Sequence, residues 1–358
     1  MFNDTHGADI YSAAEKSGIN KDEFIDFSSN INPLGIPEGV KKSAINSIEN
    51  AIRYPDINAR DLIKNISDAE NVPERWIFAS NGAADAIYRI AFYLKPSKGI
   101  VTSPAFSEYE NSLTAAGAIV EYYNLKEEHN YKIQNDFIDY INSETDIVFL
   151  CNPNNPTGQM TNKDAIEKII VMCKKSNAFV VIDECFLDFV ENKEKYSVVS
   201  LLEKYDNLIV LKAFTKIYAI PGIRLGYCMS SNKRVIDGLK VIGPPWNVSN
   251  IAQAAGVAAL KEKEYINETV NYIKLQREYI IMELNKLNIK TYESYANYLL
   301  FKISDKVDLK DELLKRGILI RSCSNYRGLD RSFYRIAVKS AKDNKLLIDI
   351  LKELKGKQ

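Results

Sequence analysis

Histidine and cysteine are scarce in this chain. Its 358 residues include two histidines and five cysteines, and no two cysteines form a CxxC pair. Because zinc sites need clusters of these side chains, the sequence gives no support for a metal site. An odd number of widely spaced cysteines also argues against a disulfide framework and predicts a reduced, cytoplasmic protein.

An excess of charge of one sign and long apolar runs are also missing. Lys+Arg and Asp+Glu each total 47, so no net field favours nucleic acid or an acidic membrane as a partner. No apolar run reaches the length of a membrane span, and the first residues lack a signal-peptide core. No GxGxxG motif follows the first strand-like segment, which argues against a nicotinamide-binding Rossmann site.

The residues that are present are those of a large globular protein. The hydrophobic content is 46%, and the length predicts about two domains. Short apolar segments alternate with helical ones as far as residue 211, which is typical of an α/β fold with a mostly parallel central sheet. Strands are predicted at Trp76–Ala79, Ile100–Thr102, Ile119–Tyr123, Asp146–Cys151, Phe179–Asp183 and Leu208–Leu211. Helices are predicted at Pro37–Ile52, Arg60–Ala69, Ala83–Leu94, Ser107–Ala116 and Lys163–Lys175.

The pattern changes near Val248, where a long helical stretch runs to about Leu287. The segments that follow predict a second, smaller α+β domain: strands at Asn297–Ile303, Ile318–Arg321 and Tyr334–Val338 and a helix at Asp343–Leu354. We therefore predict an N-terminal arm at 1–35, a large domain at 36–247, and a small domain at 248–358 against which the arm packs.

Polar residues follow three of the predicted strands. Asn155 lies in a loop after Cys151, Asp183 ends its strand, and Lys216 lies just past Leu211. Functional groups of open α/β sheets collect beyond the carboxyl ends of the strands, so we expect these side chains to meet.

The segment around Lys216 suits a covalent amine site beside an anion. A lysine can form a Schiff base with a carbonyl compound, and Thr215 and Arg224 can bind a phosphate. A lysine between apolar segments can equally be a surface residue that extends into solvent. The turn Ser80–Gly82 before a helix is a second candidate anion site, with an ordinary capped helix start as the alternative. The stretch 26–35 can be a solvated linker or an arm across a polar ligand.

Taken together and in this order, these motifs resemble the fold-type I pyridoxal-phosphate enzymes, the aspartate aminotransferase superfamily. The resemblance implies the cofactor pyridoxal 5'-phosphate, with Lys216 as its Schiff-base lysine, Asp183 at its ring nitrogen and Asn155 at its ring oxygen. It also implies a set of phosphate-binding residues: Ser80, Gly82, Ala83, Ala84, Thr215 and Arg224. Arg335 resembles the arginine that takes the substrate α-carboxylate. Two residues depart from the pattern, since Phe186 and Ala213 stand where a tyrosine and a serine are frequent.

The segment Arg53–Asp56 resembles the histidinol-phosphate aminotransferase branch of the superfamily. There the tyrosine, here Tyr54, reaches the cofactor phosphate of the other subunit, which implies a homodimer with a shared site. Tyr109 matches the aromatic residue that stacks on the cofactor ring, and Phe106 is the competing candidate.

Other segments resemble the threonine-phosphate decarboxylases of cobalamin biosynthesis, among them the arm 26–33 and residues 321–326. That resemblance implies a phosphorylated amino acid as substrate, with Asn32 and Arg335, besides Asn155, at its carboxylate end. His6 and Arg321 would lie near the substrate phosphate. Residue types alone do not separate decarboxylation from transamination. The alternatives are therefore a histidinol-phosphate-type aminotransferase and a non-catalytic protein that binds the cofactor.

Overall fold

The computed structural model describes residues 7–303 and 308–356, so His6 lies outside the described residues. The helices are α1 (Ile10–Ser17), α2 (Glu38–Asn46), α3 (Arg60–Glu70), α4 (Ala83–Leu94), α5 (Glu108–Ala115), α6 (Lys163–Lys175), α7 (Phe214–Ile217), α8 (Lys233–Val241), α9 (Asn250–Ala259), α10 (Lys263–Lys286), α11 (Leu309–Leu314) and α12 (Ala341–Gly356). The strands are β1 (Ile25–Asp26), β2 (Ile77–Ser80), β3 (Lys98–Ser103), β4 (Ile119–Asn124), β5 (Ile147–Cys151), β6 (Phe179–Asp183), β7 (Leu208–Ala213), β8 (Gly226–Met229), β9 (Lys290–Thr291), β10 (Tyr298–Lys302), β11 (Ile318–Leu319), β12 (Arg321–Ser322) and β13 (Phe333–Ala337).

A seven-stranded sheet forms the centre of the molecule, in the order β2-β8-β7-β6-β5-β3-β4. Its strands pair in parallel except for β8, which is antiparallel to both β2 and β7. Helices α4, α5 and α8 cover one face, and α3 and α6 cover the other. The predicted α/β fold with a mostly parallel sheet is therefore confirmed.

The parallel register brings three strand ends to one edge. Cys151 on β5 pairs with Asp183 on β6, and Asp183 pairs with Leu211 on β7. Strands β5 and β6 are buried along nearly their whole length, which agrees with their continuous apolar sequence. The loops that leave these strands consequently start at the same level.

A second, antiparallel sheet has the order β12-β13-β10-β9; helix α10 contacts its strand β9, and α12 packs on α10. Strand β1 of the N-terminal segment pairs in parallel with β11, through Ile25 with Ile318 and Asp26 with Leu319. The backbone N–H of Ala337 also donates to the carbonyl of Phe27 at 2.8 Å. These bonds place the start of the described chain beside its C-terminal part.

Several predicted elements differ from the observed ones. The helix predicted to reach Ile52 is α2 followed by a 3-10 helix at Ser47–Ile52. The helical stretch predicted from Val248 is two helices, because the chain turns at 260–262 between α9 and α10. Strand β8 and helix α8 were not predicted. β8 has only four residues and begins with glycine, so its own pattern is too short to indicate a strand.

All five cysteines lie in the described part of the chain, and all are free and buried. Over residues 7–303 and 308–356, none of the helices combines the length and the apolar character that crossing a bilayer requires.

Gly226, the first residue of β8, lies against the start of α4. A Cβ on this residue would lie 2.6 Å from the backbone nitrogen of Ala83 and 3.1 Å from the carbonyl oxygen of Lys212. Because backbone atoms cannot rotate away as a side chain can, we expect Gly226→Ala to lower the free energy of unfolding by about 1–3 kcal/mol. Urea unfolding followed by circular dichroism would measure it.

The matched control is Gly356→Ala, because a Cβ on Gly356 meets no atom within 4 Å. We expect this control to unfold like the wild-type protein. Equal stability of the two variants would contradict the tight contact of Gly226 with the start of α4.

Candidate active site

A cavity of about 240 Å³ lies at the edge of the central sheet where β5, β6 and β7 end. Most of the site residues predicted from the sequence line it: Ala83, Ala84, Tyr109, Asn155, Asp183, Thr215, Lys216, Arg224, Arg321 and Arg335. They come from both ends of the chain, so the cavity exists only in the folded protein.

Lys216 lies on the one-turn helix α7, directly after β7. Its side chain is half-buried, because it faces the cavity while protein surrounds it on the other sides. Burial, followed by the positive charges of Arg335 and Arg224, lowers the pKa of Lys216 to about 8. An amine with such a pKa is partly neutral near physiological pH and therefore available as a nucleophile or proton carrier.

Asp183 ends β6 and is buried. Its Oδ2 accepts a hydrogen bond of 2.6 Å from the Tyr109 hydroxyl, and its Oδ1 accepts one of 2.9 Å from the backbone N–H of Cys185. Burial and the Asp183 carboxylate raise the pKa of Tyr109 well above its ordinary value, so Tyr109 stays a donor. Each carboxylate oxygen retains a lone pair, so Asp183 can accept a further N–H from a ligand.

Two aromatic rings line the cavity near Asp183. The ring of Tyr109 is stacked on Phe149 at 5.3 Å between centroids, and Phe106 meets Tyr109 edge-on at 5.7 Å. Tyr109 is buried with only 1% of its surface exposed, whereas Phe106 is half-buried. Phe106 is thus the more accessible of the two candidate stacking rings.

Arg335 on β13 reaches the cavity from the second sheet. Its Nη1 donates to Asn155 Oδ1 at 2.5 Å, and its Nη2 donates to the Ser28 carbonyl at 2.6 Å. Its Nε is buried and has no hydrogen-bond partner among the described residues. A buried guanidinium with an unused donor fits an anionic ligand.

The start of α4 forms an anion seat beside Arg224. Gly82 precedes the helix with φ +83°, and no side chain caps the N-terminus. A Cβ on Gly82 would come 2.8 Å from Arg224 Nη2. Free N–H groups, a helix dipole and a guanidinium converge here, beside the buried Thr215, so these residues fit a phosphate group.

Ser80 and Gly82 shape this seat but do not line the cavity. The Ser80 hydroxyl is buried and donates to the Gly82 carbonyl at 3.0 Å, which closes the turn. Gly82 allows the close approach of Arg224 and the positive φ.

The structure does not bring Asn32 into the cavity. Its Nδ2 donates to the Ile217 carbonyl at 2.7 Å and to Thr269 Oγ1 at 2.8 Å, so its side chain joins the arm to α7 and α10. Asn30 lines the cavity instead, and its Oδ1 is buried without a partner among the described residues. No local pattern distinguishes the two asparagines, because they stand two residues apart in one irregular segment.

The sequence did not single out the serines of the arm, although Ser28 and Ser29 also line the cavity. Asp26 accepts hydrogen bonds from both hydroxyls, at 2.5 Å from Ser28 and 2.6 Å from Ser29. The density of turn-forming residues in this segment was the available signal. The buried thiols of Cys151 and Cys185 line the cavity as well.

Of two further predicted site residues, Arg321 is buried and Tyr54 is exposed. Arg321 is buried at the cavity wall, donates to Asn325 Oδ1 at 2.8 Å and lies 5.3 Å from the ring centroid of Tyr326. Tyr54 is 79% exposed, stacks on Trp246 at 4.6 Å, and does not line the cavity of its own chain.

Comparison with known proteins agrees with this geometry. The family model for aminotransferase class I and II matches residues 22–351. Threonine-phosphate decarboxylase of Salmonella typhimurium is 35% identical over 99% of this chain and 97% of its own length. Histidinol-phosphate aminotransferase of Methanococcus aeolicus is 31% identical over 95% of this chain and 92% of its own length.

A solved structure supports the same relationship. The histidinol-phosphate aminotransferase from Clostridium acetobutylicum superimposes with a TM-score of 0.87 at 33% identity, covering 93% of this chain and 99% of that one. The chain therefore belongs to the class I and II aminotransferase family and is a pyridoxal-phosphate-dependent enzyme.

Proposed function

We propose that this enzyme decarboxylates L-threonine O-3-phosphate to (R)-1-amino-2-propanol O-2-phosphate and CO₂, a step of cobalamin biosynthesis. The observation that carries the proposal is the presence of two buried arginines, Arg321 and Arg335, in one cavity, in addition to Arg224 at the start of α4. Threonine phosphate has a carboxylate and a phosphate, so each of these two arginines has one anionic group to bind. The 35% identity to the Salmonella decarboxylase over 99% of this chain supports the assignment.

The residues of the cavity fit pyridoxal phosphate part by part. Lys216 is the amine that would bind its aldehyde carbon, and Asp183 would accept the ring N–H. The phosphate would occupy the seat formed by Arg224, Thr215 and the first N–H groups of α4. Asn155 would donate its amide N–H to the ring oxygen while its Oδ1 stays bonded to Arg335.

The aromatic pair has two separate tasks in this proposal. Phe106 presents the more accessible ring and would contact the cofactor face. Tyr109 would act through its hydroxyl, which fixes the orientation of the Asp183 carboxylate. This differs from the expectation that Tyr109 itself is the stacking ring, and it follows from the burial of Tyr109 against Phe149.

The substrate would lie between the cofactor and the arm. Arg335 and Asn155, with Asn30 in the position expected for Asn32, would hold the carboxylate end. Arg321 would bind the substrate phosphate. His6, predicted from the resemblance to lie near that phosphate, is outside the described residues.

The orientation in which the cavity residues hold the substrate decides which bond of its α-carbon breaks. When bound, pyridoxal phosphate would supply an acceptor for the electron pair that departing CO₂ leaves on the α-carbon. Arg335 would hold the substrate carboxylate in the orientation from which CO₂ can leave. Lys216 Nζ would then give its proton to the α-carbon, a role that its lowered pKa of about 8 favours.

A histidinol-phosphate-type aminotransferase is the second candidate. Relatives with that activity are 31% identical to the chain, and a solved one is 33% identical. In such an enzyme Arg321 and Arg335 would bind the two carboxylates of an amino acceptor, and Lys216 would remove the α-proton instead of donating one.

We also propose that the enzyme is a cytoplasmic homodimer. Ile45, Ile48 and Ile52 are exposed by 56%, 56% and 85% on α2 and the 3-10 helix after it, and Tyr54 follows them. A row of exposed isoleucines next to an exposed, stacked tyrosine marks an interaction surface. In a dimer, Tyr54 would reach the cofactor phosphate of the other subunit. The five free cysteines agree with a reducing compartment.

Two parallel assays test the reaction. We expect holoenzyme with threonine phosphate to release CO₂, and holoenzyme with histidinol phosphate and 2-oxoglutarate to form no glutamate. Lys216→Ala is the inactive control in both. Glutamate formation without CO₂ release would replace the first proposal by the second, and inactivity of the wild-type enzyme in both would contradict both.

The pKa of Lys216 predicts how stability changes with pH. In the unfolded chain this lysine has its ordinary pKa of 10.5, against about 8 in the folded protein. Below pH 8 the folded state therefore carries an unfavourable charge, and Lys216→Met should stabilise the apoprotein by about 1–2 kcal/mol at neutral pH after allowance for solvent in the cavity.

The gain should shrink as the pH rises from about 8 to 10.5, because the folded protein has then lost the proton and the unfolded chain progressively loses it as well. Urea unfolding of apoproteins across this range would measure it. Lys345→Met is the matched control, since the side chain of Lys345 is 71% exposed. A pH-independent difference between Lys216→Met and wild type would contradict the lowered pKa.

The dimer proposal predicts that Ile48→Glu combined with Ile52→Glu gives a monomer in analytical ultracentrifugation. Burying two carboxylates in an apolar interface is strongly unfavourable.

In the wild-type background, Tyr54→Phe should weaken cofactor binding about tenfold, as expected for one lost hydrogen bond to a charged group. Leu275→Glu is the control, because Leu275 is 63% exposed on α10. A monomeric, fully active wild-type enzyme would contradict the shared site.

A further inference from the structure

Behind the cavity lies a group of charged side chains that we call the rear cluster, in which Glu184 and Lys212 are buried and the other three are half-buried: Glu70, Glu184, Asp188, Lys193 and Lys212. Lys212 Nζ donates to both carboxylate oxygens of Glu70, at 2.9 and 2.8 Å, and lies 3.8 Å from Glu184 Oε2. Lys193 pairs with Asp188. Glu184 is 0% exposed and Lys212 is 3% exposed, so solvent does not screen this pair.

The rear cluster and the cavity lie on opposite faces of the central sheet, at the ends of β6 and β7. Leu211 packs with Tyr109 on the face to which Asp183 turns, whereas Val210 and Tyr227 pack on the other face. Side chains alternate along a strand, so Lys212, which follows Leu211, points to the rear. Glu184 directly follows Asp183 and also reaches the rear.

Glu184 fixes the segment that leaves β6. Its Oε1 accepts from the backbone N–H of Val198 at 2.7 Å, and its Oε2 accepts from the Ser197 hydroxyl at 2.8 Å. Its own N–H donates to the Leu211 carbonyl at 2.9 Å. Glu184 therefore joins the end of β6 to the end of β7, where Lys212 stands.

Lys212 is the cation that makes this arrangement stable. Burial alone would lower its pKa, but the carboxylates of Glu70, Asp188 and Glu184 raise it above its ordinary value, so Lys212 stays charged. Without it, Glu70 and Glu184 would lie close together with no buried cation between them. Buried carboxylates in that situation separate or take up protons, and either response moves the strand ends.

We propose that Lys212 is a positioning residue for the reaction, which through Glu184 and through its own strand holds Asp183 and Lys216 at the separation that the cofactor requires. The inference rests on the roles proposed above for Asp183 and Lys216. It does not depend on which substrate is used. A small displacement of reacting groups costs much in rate, so a contact on the far side of the sheet can affect the chemistry.

The test compares Lys212→Met, Lys212→Arg and Glu184→Gln as holoenzymes. We expect Lys212→Met to raise the dissociation constant of pyridoxal phosphate about tenfold or more and to lower kcat similarly, with KM for the substrate changed less than about threefold. The ratio of the two absorbance bands of the bound cofactor should shift as well. Lys212→Arg keeps the charge, so its cofactor dissociation constant, kcat and absorbance ratio should lie close to those of the wild-type enzyme.

The control is Lys174→Met, which removes an exposed ion pair with Asp206 near the opposite end of β7. It should leave all values unchanged. If Lys212→Met lowers the melting temperature but leaves cofactor affinity, absorbance ratio and kcat at wild-type values, Lys212 is merely structural and the proposal is overturned.

Glu184→Gln removes the charge and keeps one of the two acceptor oxygens that bind Val198 and Ser197, so it tests the proposal even where Lys212→Met does not fold. We expect it to change cofactor affinity and absorbance in the same direction. When Lys212→Met and Glu184→Gln are combined, their changes in cofactor affinity should not add, because both residues act through one contact. Additive effects, or no effect of Glu184→Gln on the cofactor, would overturn the proposal. Cofactor binding is measured without substrate. The result can therefore be interpreted even if the enzyme does not decarboxylate threonine phosphate.

Discussion

The parallel register of β5, β6 and β7 is the constraint on which the site depends. Cys151, Asp183 and Leu211 lie side by side, so the loops that carry Asn155 and Lys216 start level with the carboxylate of Asp183. A shift of one residue in either strand pair would turn Asp183 to the other face of the sheet. The apolar sequences of these strands, buried on both faces, therefore determine where the polar groups meet.

The second constraint is the concentration of positive charge around one cavity. Lys216, Arg224, Arg321 and Arg335 all line it, while Asp183 is its one lining carboxylate among the described residues. Such a site is unfavourable when empty, and anionic ligands relieve the repulsion. The same repulsion, together with burial, keeps the amine of Lys216 reactive. Affinity for phosphorylated ligands and reactivity of the lysine thus have one electrostatic origin.

The sequence predicted the parts of the molecule whose patterns are local. Helix α4 begins and ends at the predicted residues Ala83 and Leu94, and β6 at Phe179 and Asp183, because apolar periodicity and a glycine-containing turn mark them. It did not predict β8, which depends on pairing with β2 and β7 rather than on its own four residues. It also did not predict that Asn30 rather than Asn32 faces the cavity. That choice is made by hydrogen bonds to Ile217 and Thr269, which lie far away along the chain.

The pairing of β1 with β11 has a consequence for how the protein is made. Ile25 leaves the ribosome long before its partner Ile318 is synthesised. The central sheet can form from contacts among residues 77–229, whereas Ser28 can bind Arg335, and Asn30 can bind Asn297, only after those later residues have been synthesised. Contacts so distant in sequence form late and slowly. A nascent chain can therefore contain a folded central sheet with Lys216 in place while the side of the cavity that Ser28 and Asn30 line is still open to water.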